Sequence, residues 1–101
     1  MKDEQKKLKE NFDVISRIFY NGNFILAETK TRSLIKKYSK VPVLYNLLGM
    51  CLNAQNKTEE AIKSYEKAIS LNPKFAIAYN NLGNIYRNKK HDLEKAKELF
   101  E

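Results

Sequence analysis

The chain repeats itself at an offset of 34, and this period constrains its fold more than any other feature. Residues 43–49 read Val-Leu-Tyr-Asn-Leu-Leu-Gly, and residues 77–83 read Ile-Ala-Tyr-Asn-Asn-Leu-Gly. A unit of this length cannot bury its apolar side chains by itself and gains a core by stacking on its neighbours. With 101 residues in total, the chain is also too short for a barrel enzyme.

The next matches require an offset of 35, because one residue is inserted between them. Ala61 then coincides with Ala96, and the insertion falls in the polar segment 88–92, which predicts a loop. Upstream, Ala27 coincides with Ala61 at the original offset of 34. We predict three units: residues 1–41, which hold an N-terminal helix and an irregular first unit; residues 42–75; and residues 76–101, whose second helix is cut short.

Each unit is predicted to hold two helices, because its apolar residues recur at helical spacing. In the middle unit Thr58 is expected to cap the second helix, and Glu59 and Glu60 favour its positive N-terminal end. Pro73 follows this helix and ends it, because proline cannot continue the hydrogen-bond ladder. Asp92 is expected to cap the second helix of the third unit.

Small residues mark the point where the two helices of a unit should cross. Gly49 and Ala61 would let the backbones approach closely, with Tyr45 and Tyr65 filling the space on either side. Replacing Gly49 by leucine should force the helices apart and lower the free energy of unfolding by about 1–3 kcal/mol.

The pattern resembles the tetratricopeptide repeat, in which aromatic-x-x-Leu-Gly-x-x-aromatic is followed by Ala-x-x-x-aromatic-x-x-Ala and then proline. The matching residues are Tyr45, Leu48, Gly49, Ala61, Tyr65, Ala68 and Pro73 in the middle unit, and Tyr79, Leu82, Gly83, Tyr86, Ala96 and Phe100 in the third. Leu52 replaces the second aromatic residue of the middle unit.

The first unit matches this pattern loosely, through residues 22–24 and Ala27. Strict spacing places Ile15 at the small-residue position. A turn that is shorter by one residue places Ser16 there instead, surrounded by Phe12, Ile15 and Phe19, and this is the register that we prefer.

The resemblance implies an all-α fold, a right-handed solenoid of antiparallel helix pairs that binds a protein or peptide and is not an enzyme. In such repeats the first helix of each unit lines a concave groove where partner segments bind. The residues on this face are Val43, Asn46, Met50, Asn53, Ile77, Asn80, Asn81, Asn84 and Arg87. Asparagine amides can donate to and accept from a peptide backbone whatever the peptide's side chains are.

Two groups within the family offer closer comparisons. Repeats that clamp a C-terminal carboxylate have lysine and asparagine where this chain has Asn46 and Met50, which argues against a clamp. The repeats that precede O-linked N-acetylglucosamine transferases are similar to residues 73–84, with Asn81 at their ladder position and Leu47 breaking the ladder. An alternative is therefore that the chain recruits substrates for a larger glycosyltransferase or sulfotransferase, whose catalytic machinery these residues lack.

No set of residues suggests catalysis, a cofactor or a metal site. His91 lies in the inserted loop and is interpreted as an exposed loop residue. Cys51, the single cysteine, coincides with Ile85 and is expected to be a small buried apolar residue. The sequence has no signal peptide and no apolar segment of the ~20 residues that a membrane span needs, and we expect a cytoplasmic protein without membrane partners.

The net charge of +7 is unevenly distributed. Residues 1–40 contain 10 basic and 5 acidic side chains, whereas residues 41–101 contain 9 and 7. Most aromatic residues fall on core stripes and lysines alternate with glutamates, which argues against nucleic-acid binding. We interpret the charge as a source of solubility with a mild preference for acidic partners.

Both ends of the predicted solenoid carry apolar residues. Nothing in the sequence would cover Leu99 and Phe100, so we expect the chain to be part of a longer protein or to be covered there by another chain, which allows self-association. At the other end an apolar stripe suggests that the first helix acts as a cap. This stripe comprises Leu8, Phe12, Ile15 and Phe19.

Overall fold

The computed structural model describes residues 2–89 and 91–100. These residues form six helices and no strand: α1 (Lys2–Tyr20), α2 (Phe24–Lys37), α3 (Pro42–Ala54), α4 (Thr58–Leu71), α5 (Ala76–Asn88) and α6 (Leu93–Phe100). Consecutive helices pack together, which confirms the all-α solenoid. Lys90 of the predicted loop and Glu101 lie outside the described residues.

The helix boundaries follow the repeat closely. Both ends of α4 coincide with those of α2 at an offset of 34, and the same offset relates both ends of α5 to those of α3. The turns at 21–23 and 55–57 have the same length, whereas the segment 89–92 is one residue longer. The insertion therefore lies where the sequence predicts it, although Asn88 belongs to α5 rather than to the loop.

Each turn within a unit contains one residue in the left-handed region of φ. These residues are Gly22 (φ 89°), Asn56 (φ 62°) and His91 (φ 55°), which occupy equivalent positions of the three units. Glycine enters this region without cost, and asparagine enters it more readily than most residues. His91 is exposed, as predicted, and its backbone completes the third turn.

Two of the three second helices begin at a side-chain cap. Asn23 Oδ1 accepts from the Leu26 amide at 3.3 Å, and Asp92 Oδ1 accepts from the Lys95 amide at 3.0 Å, which confirms the predicted Asp92 cap. The prediction for Thr58 was wrong: the cap position belongs to Lys57, without a side-chain cap bond. Thr58 is already the first helical residue, so its hydroxyl lies beyond the cap position.

Glycine makes room for an aromatic ring in the second and third units. A Cβ atom at Gly49 would lie 2.6 Å from Tyr65 Cε1, and one at Gly83 would lie 2.7 Å from Phe100 Cε1. Tyr65 is only 2% exposed and Ala61 is fully buried. The predicted close crossing is therefore confirmed.

Tyr45 has a different role from the space-filling one that we expected. Its hydroxyl donates to the Ser39 carbonyl at 2.7 Å, and the hydroxyl of the equivalent Tyr79 donates to the Pro73 carbonyl at 3.0 Å. In both units this tyrosine ties the first helix to the turn that precedes it.

In the first unit the large residue at the helix crossing stands on the first helix instead of the second. The preferred register, with Ser16 at the small-residue position, was wrong. The turn is not shortened, so Ile15 is the equivalent of Gly49 and Thr31 is the equivalent of Tyr65. Both are buried, Ile15 at 3% exposure and Thr31 at 0%. A small second-helix residue leaves space for a large first-helix residue, so the total volume is maintained.

The helix α1 faces the rest of the solenoid with its apolar stripe. Its apolar residues Leu8, Phe12, Ile15 and Phe19 pack inward against the core cluster that contains Leu34, Leu44 and Leu47. Its outer side, with Val14 at 41% exposure, lines an open cavity of about 320 Å³. The helix α1 is thus the first helix of a unit, extended by six residues at its N terminus relative to α3 and α5.

Backbone contacts define the inner surface. The backbones of α1 and α3 and those of α3 and α5 approach within 8 Å, whereas within the described residues no such approach joins α2 to α4 or α4 to α6. Neighbouring units are therefore closer to each other along their first helices than along their second helices. This curvature gives α1, α3 and α5 the inner face.

Candidate peptide-binding groove

The predicted groove residues of α3 and α5 differ in their exposure to solvent. Asn46 is 5% exposed, whereas Ile77 is 58% exposed and Asn80 is also exposed. The remaining residues of the predicted set are half-buried or exposed. These are Val43, Met50, Asn53, Asn81, Asn84 and Arg87.

Asn46 and Asn81 form a buried link between the second and third units. Asn81 Nδ2 donates to Asn46 Oδ1 at 3.0 Å, and Asn46 Nδ2 donates to Met50 Sδ at 3.7 Å. Within the chain, the Asn46 amide is thus occupied by Asn81 and Met50 and little of it is open to a partner. Its burial requires hydrogen-bond partners for its amide, and neighbouring side chains of the chain supply them.

The junction between the first and second units has apolar residues at the positions equivalent to this pair. At an offset of 34, Phe12 corresponds to Asn46 and Leu47 to Asn81. Phe12 packs against the core cluster that includes Leu47. Each junction is therefore filled by a matched pair, two apolar residues in one case and two amides in the other.

Arg87 is held in place by three neighbours on α5 and α6. Its Nη2 donates to Asn84 Oδ1 at 3.0 Å and its Nε donates to Asn88 Oδ1 at 3.2 Å. The guanidinium carbon lies 5.5 Å from the centroid of the Phe100 ring. Because the side chain is still exposed, this arrangement presents an oriented positive charge to solvent.

A second positive charge lies at the end of α3. Lys89 Nζ donates to the Asn53 carbonyl at 2.8 Å and to Asn56 Oδ1 at 3.2 Å, which ties the third unit to the turn of the second. The Asn53 Oδ1 atom is buried and has no hydrogen-bond partner among the described residues. An acceptor in this state gains free energy from any rearrangement that brings it a donor.

Sequence reasoning missed the part of the inner face that α1 contributes. The corrected register places Lys9, Phe12, Ser16 and Phe19 at the positions of Val43, Asn46, Met50 and Asn53. A cavity of about 260 Å³ opens between α1 and α3. It is lined by Gln5, Leu8, Lys9, Phe12 and Val43, which we call the α1–α3 pocket. The unshifted offset between Ala27 and Ala61 was the signal that could have revealed this register.

Titratable groups away from the groove have structural roles. Burial raises the pKa of the Cys51 thiol to about 11, which makes it an unreactive core residue, as predicted. A hydrogen bond from Arg32 lowers the pKa of Glu28, and Gln55 and Lys57 act in the same direction. Glu28 thereby joins the first unit to the turn of the second, with Gln55 Nε2 donating to its Oε1 at 2.8 Å.

The described residues contain neither a cluster of potential metal ligands nor a helix that could span a membrane. Within residues 2–89 and 91–100, no three His, Cys, Asp or Glu side chains gather where they could hold a metal ion. Nor does any helix there combine the length and apolar character needed to cross a membrane.

Comparison with known proteins points to one family. Residues 51–90 match the model described as TPR repeat. Over 86 residues the chain is 31% identical to the uncharacterized protein ycf37 of Pyropia yezoensis, a match that covers 85% of this chain and 48% of that protein. A 65-residue segment is 57% identical to tetratricopeptide repeat protein 6 of Homo sapiens, covering 64% of this chain and 12% of that protein. The chain thus spans about half the length of the ycf37 relative, and much less of the human one.

A solved structure has the same fold over nearly its whole length. The second TPR of Spaghetti (RPAP3), solved with the HSP90 peptide SRMEEVD, superposes with a TM-score of 0.83. The match covers 99% of this chain and 94% of that chain at 24% sequence identity. The repeat, the helix pairs and these matches agree, and the chain folds as a solenoid of tetratricopeptide repeats.

Proposed function

We propose that the chain binds an extended segment of a partner protein along the inner face of α1, α3 and α5. The observation that carries this proposal is the accessible polar row on α5. Asn80, Asn84 and Arg87 recur at helical spacing on α5, and none of them is buried. An amide and a guanidinium together can bind the carbonyl groups and the acidic side chains of an extended chain.

The solved neighbour supports the same general function, since it holds a peptide on the same fold. Its peptide is not carried over to this chain. Asn46, at a position where clamps that bind a terminal carboxylate have lysine, is buried and already bonded to Asn81 and Met50. We therefore propose recognition of an internal segment rather than of a chain terminus. Asn81, on which the alternative of a transferase-recruiting region rests, donates to Asn46 within the chain, and we do not propose that alternative.

The test is a selection of random 12-residue peptides displayed on phage, with the whole chain as bait. Peptides that emerge are synthesised and their dissociation constants measured by fluorescence anisotropy. The triple variant N80A/N84A/R87A is expected to weaken binding at least about tenfold, the effect of losing about 1.4 kcal/mol. Arg87 also stacks on Phe100, so circular dichroism must confirm that the variant remains folded.

A matched control removes three exposed polar side chains from the outer helices. The variant K36A/K63A/E66A changes α2 and α4 and leaves the inner face intact. It should bind as the unmodified chain does. Equal binding by the α5 variant and this control would contradict the proposed groove.

A further inference from the structure

The side chains that the first helices present differ from unit to unit: α5 presents Asn80 and Asn84 besides Ile77, whereas α1 presents Phe12 beside Lys9. The α1–α3 pocket has a volume of about 260 Å³, and the apolar residues of its lining are Leu8, Phe12 and Val43. This volume is below the ~300–1,000 Å³ that is typical of small-molecule sites. The pocket therefore suits a single large side chain rather than a whole small-molecule ligand.

Charges at the pocket and elsewhere on the first helices select the kind of segment that could bring such a side chain. The helix α3 contains no lysine, arginine, aspartate or glutamate, and Arg87 is the single residue of these types in α5. Lys9 lies on the pocket rim with its side chain 80% exposed, in a 3.4 Å contact with Asp13. Lys89 adds a further positive charge at the end of α3. A partner segment with carboxylates near its apolar residue is complementary to this face.

We propose that the α1–α3 pocket receives one bulky aliphatic or aromatic side chain of an acidic, extended peptide segment. The peptide's carboxylates lie near Lys9 and Arg87, and its backbone crosses α3 between them. This proposal rests on the proposed function and adds to it the chemistry of the ligand. In this proposal the surface that distinguishes one peptide from another belongs to the first unit. This is also the unit that departs most from the repeat pattern.

The phage selection described above tests this proposal through the sequences that it enriches. The expected consensus contains one Leu, Ile, Met or Phe with aspartate or glutamate within a few residues. Burying such a side chain is worth about 10- to 100-fold in the dissociation constant. Replacing that residue of a selected peptide by alanine should therefore weaken binding by at least tenfold.

Two variants examine the protein side of the contact. Val43→Asn makes the pocket polar and should weaken binding by tenfold or more, whereas Ile25→Asn, at an apolar residue that is 70% exposed on α2, should have no effect. Val43 also packs against the core, so a loss caused by unfolding has to be separated from a loss of contact. Lys9→Glu serves this purpose, because its side chain is 80% exposed, and it should weaken acidic peptides selectively.

Each outcome decides between the two proposals. Peptides without an apolar residue, or binding that is unaffected by Val43→Asn and Lys9→Glu but lost in N80A/N84A/R87A, would overturn the pocket and leave the groove standing. If no peptide is enriched at all, both proposals fail. An apolar consensus with no acidic residue and no response to Lys9→Glu would also overturn the proposal, because the ligand class would be wrong.

Discussion

The first unit and the two that follow fill the same helix crossing in opposite ways. In the second and third units a glycine on the first helix faces a tyrosine or phenylalanine on the second. In the first unit Ile15 stands on the first helix and Thr31 on the second, and both are buried. The helix boundaries of α2 and α4 still coincide at an offset of 34.

The comparison indicates that the crossing requires a total volume rather than a particular residue. Protein interiors are packed at close to crystal density, so a gain in volume on one helix must be matched by a loss on the other. The glycine and aromatic residue of the second and third units are one way to reach the required total volume. The pair in the first unit is a second solution, and it can be transplanted to test the idea.

The largest effects are expected when half of the first-unit pair is transplanted into the second unit. Gly49→Ile forces a side chain into the Tyr65 ring and should lower the free energy of unfolding by about 2–3 kcal/mol. Tyr65→Thr leaves a cavity and should cost about 3 kcal/mol or more. The double variant carries both changes and should lose about 2 kcal/mol less than the sum, as measured by urea unfolding.

This cycle has a clear control and a clear failure. The control pair is Gly49→Ile with Tyr38→Thr, because these two residues belong to different units. These two changes should be additive. Additivity of Gly49→Ile with Tyr65→Thr would mean that the crossing does not exchange volume between helices.

The register of the first unit is tested by truncating its two candidate residues. Ile15→Ala should lower the free energy of unfolding by about 2–4 kcal/mol, because Ile15 is 3% exposed and its removal leaves a cavity. Ser16→Ala, at a half-buried position, should change it by less than about 0.5 kcal/mol. Similar losses at both positions would contradict the register that the structure gives.

The amide junction is expected to be less costly to break than the crossing. Asn81→Leu removes the donor to Asn46 Oδ1 and leaves that buried oxygen unpaired, at a cost of about 1–3 kcal/mol in thermal unfolding. Asn80→Leu is the control, since Asn80 is exposed one position earlier on the same helix. A junction with Asn46→Phe and Asn81→Leu together, which copies Phe12 and Leu47, should recover part of the loss.

The smallest effect concerns pH. Because the pKa of Glu28 is lowered by Arg32, its contribution to stability is present above its ordinary value of 4.5 and is lost as pH falls through the folded value. Glu28→Gln should therefore destabilise the chain by about 0.5–1 kcal/mol at pH 7, and the difference should vanish towards pH 3. If the stability difference between Glu28→Gln and the unmodified chain stays constant with pH, the effect of Glu28 comes from the shape of its side chain and not from its charge.

The sequence could predict the helices well because their boundaries depend on the repeat itself. Gly49, Tyr65 and Pro73 occupy positions with a direct physical meaning, namely close approach, filling and termination. The second and third units each carry such residues, so their crossings were predicted. The first unit lacks them, and a preference for a small residue led to Ser16 rather than to the unshifted Ile15.

The inner face was harder to predict, because exposure depends on contacts between units. Asn46 and Asn80 are equivalent in sequence, yet Asn46 is buried by Asn81 and Asn80 is exposed. The α1–α3 pocket is formed by residues of two units, Phe12 and Val43 among them. The spacing within one unit carries no information about such neighbours.

Backbone contacts between helices join only members of the same or adjacent units in the described chain. Solenoids of this type behave as one-dimensional systems, in which each unit is coupled only to its neighbours. Within these 101 residues the middle unit packs against a unit on both sides, so in this chain by itself its amide protons should exchange with solvent most slowly. The first and third units should open before it, so the surface with the α1–α3 pocket and the surface with Arg87 can loosen independently.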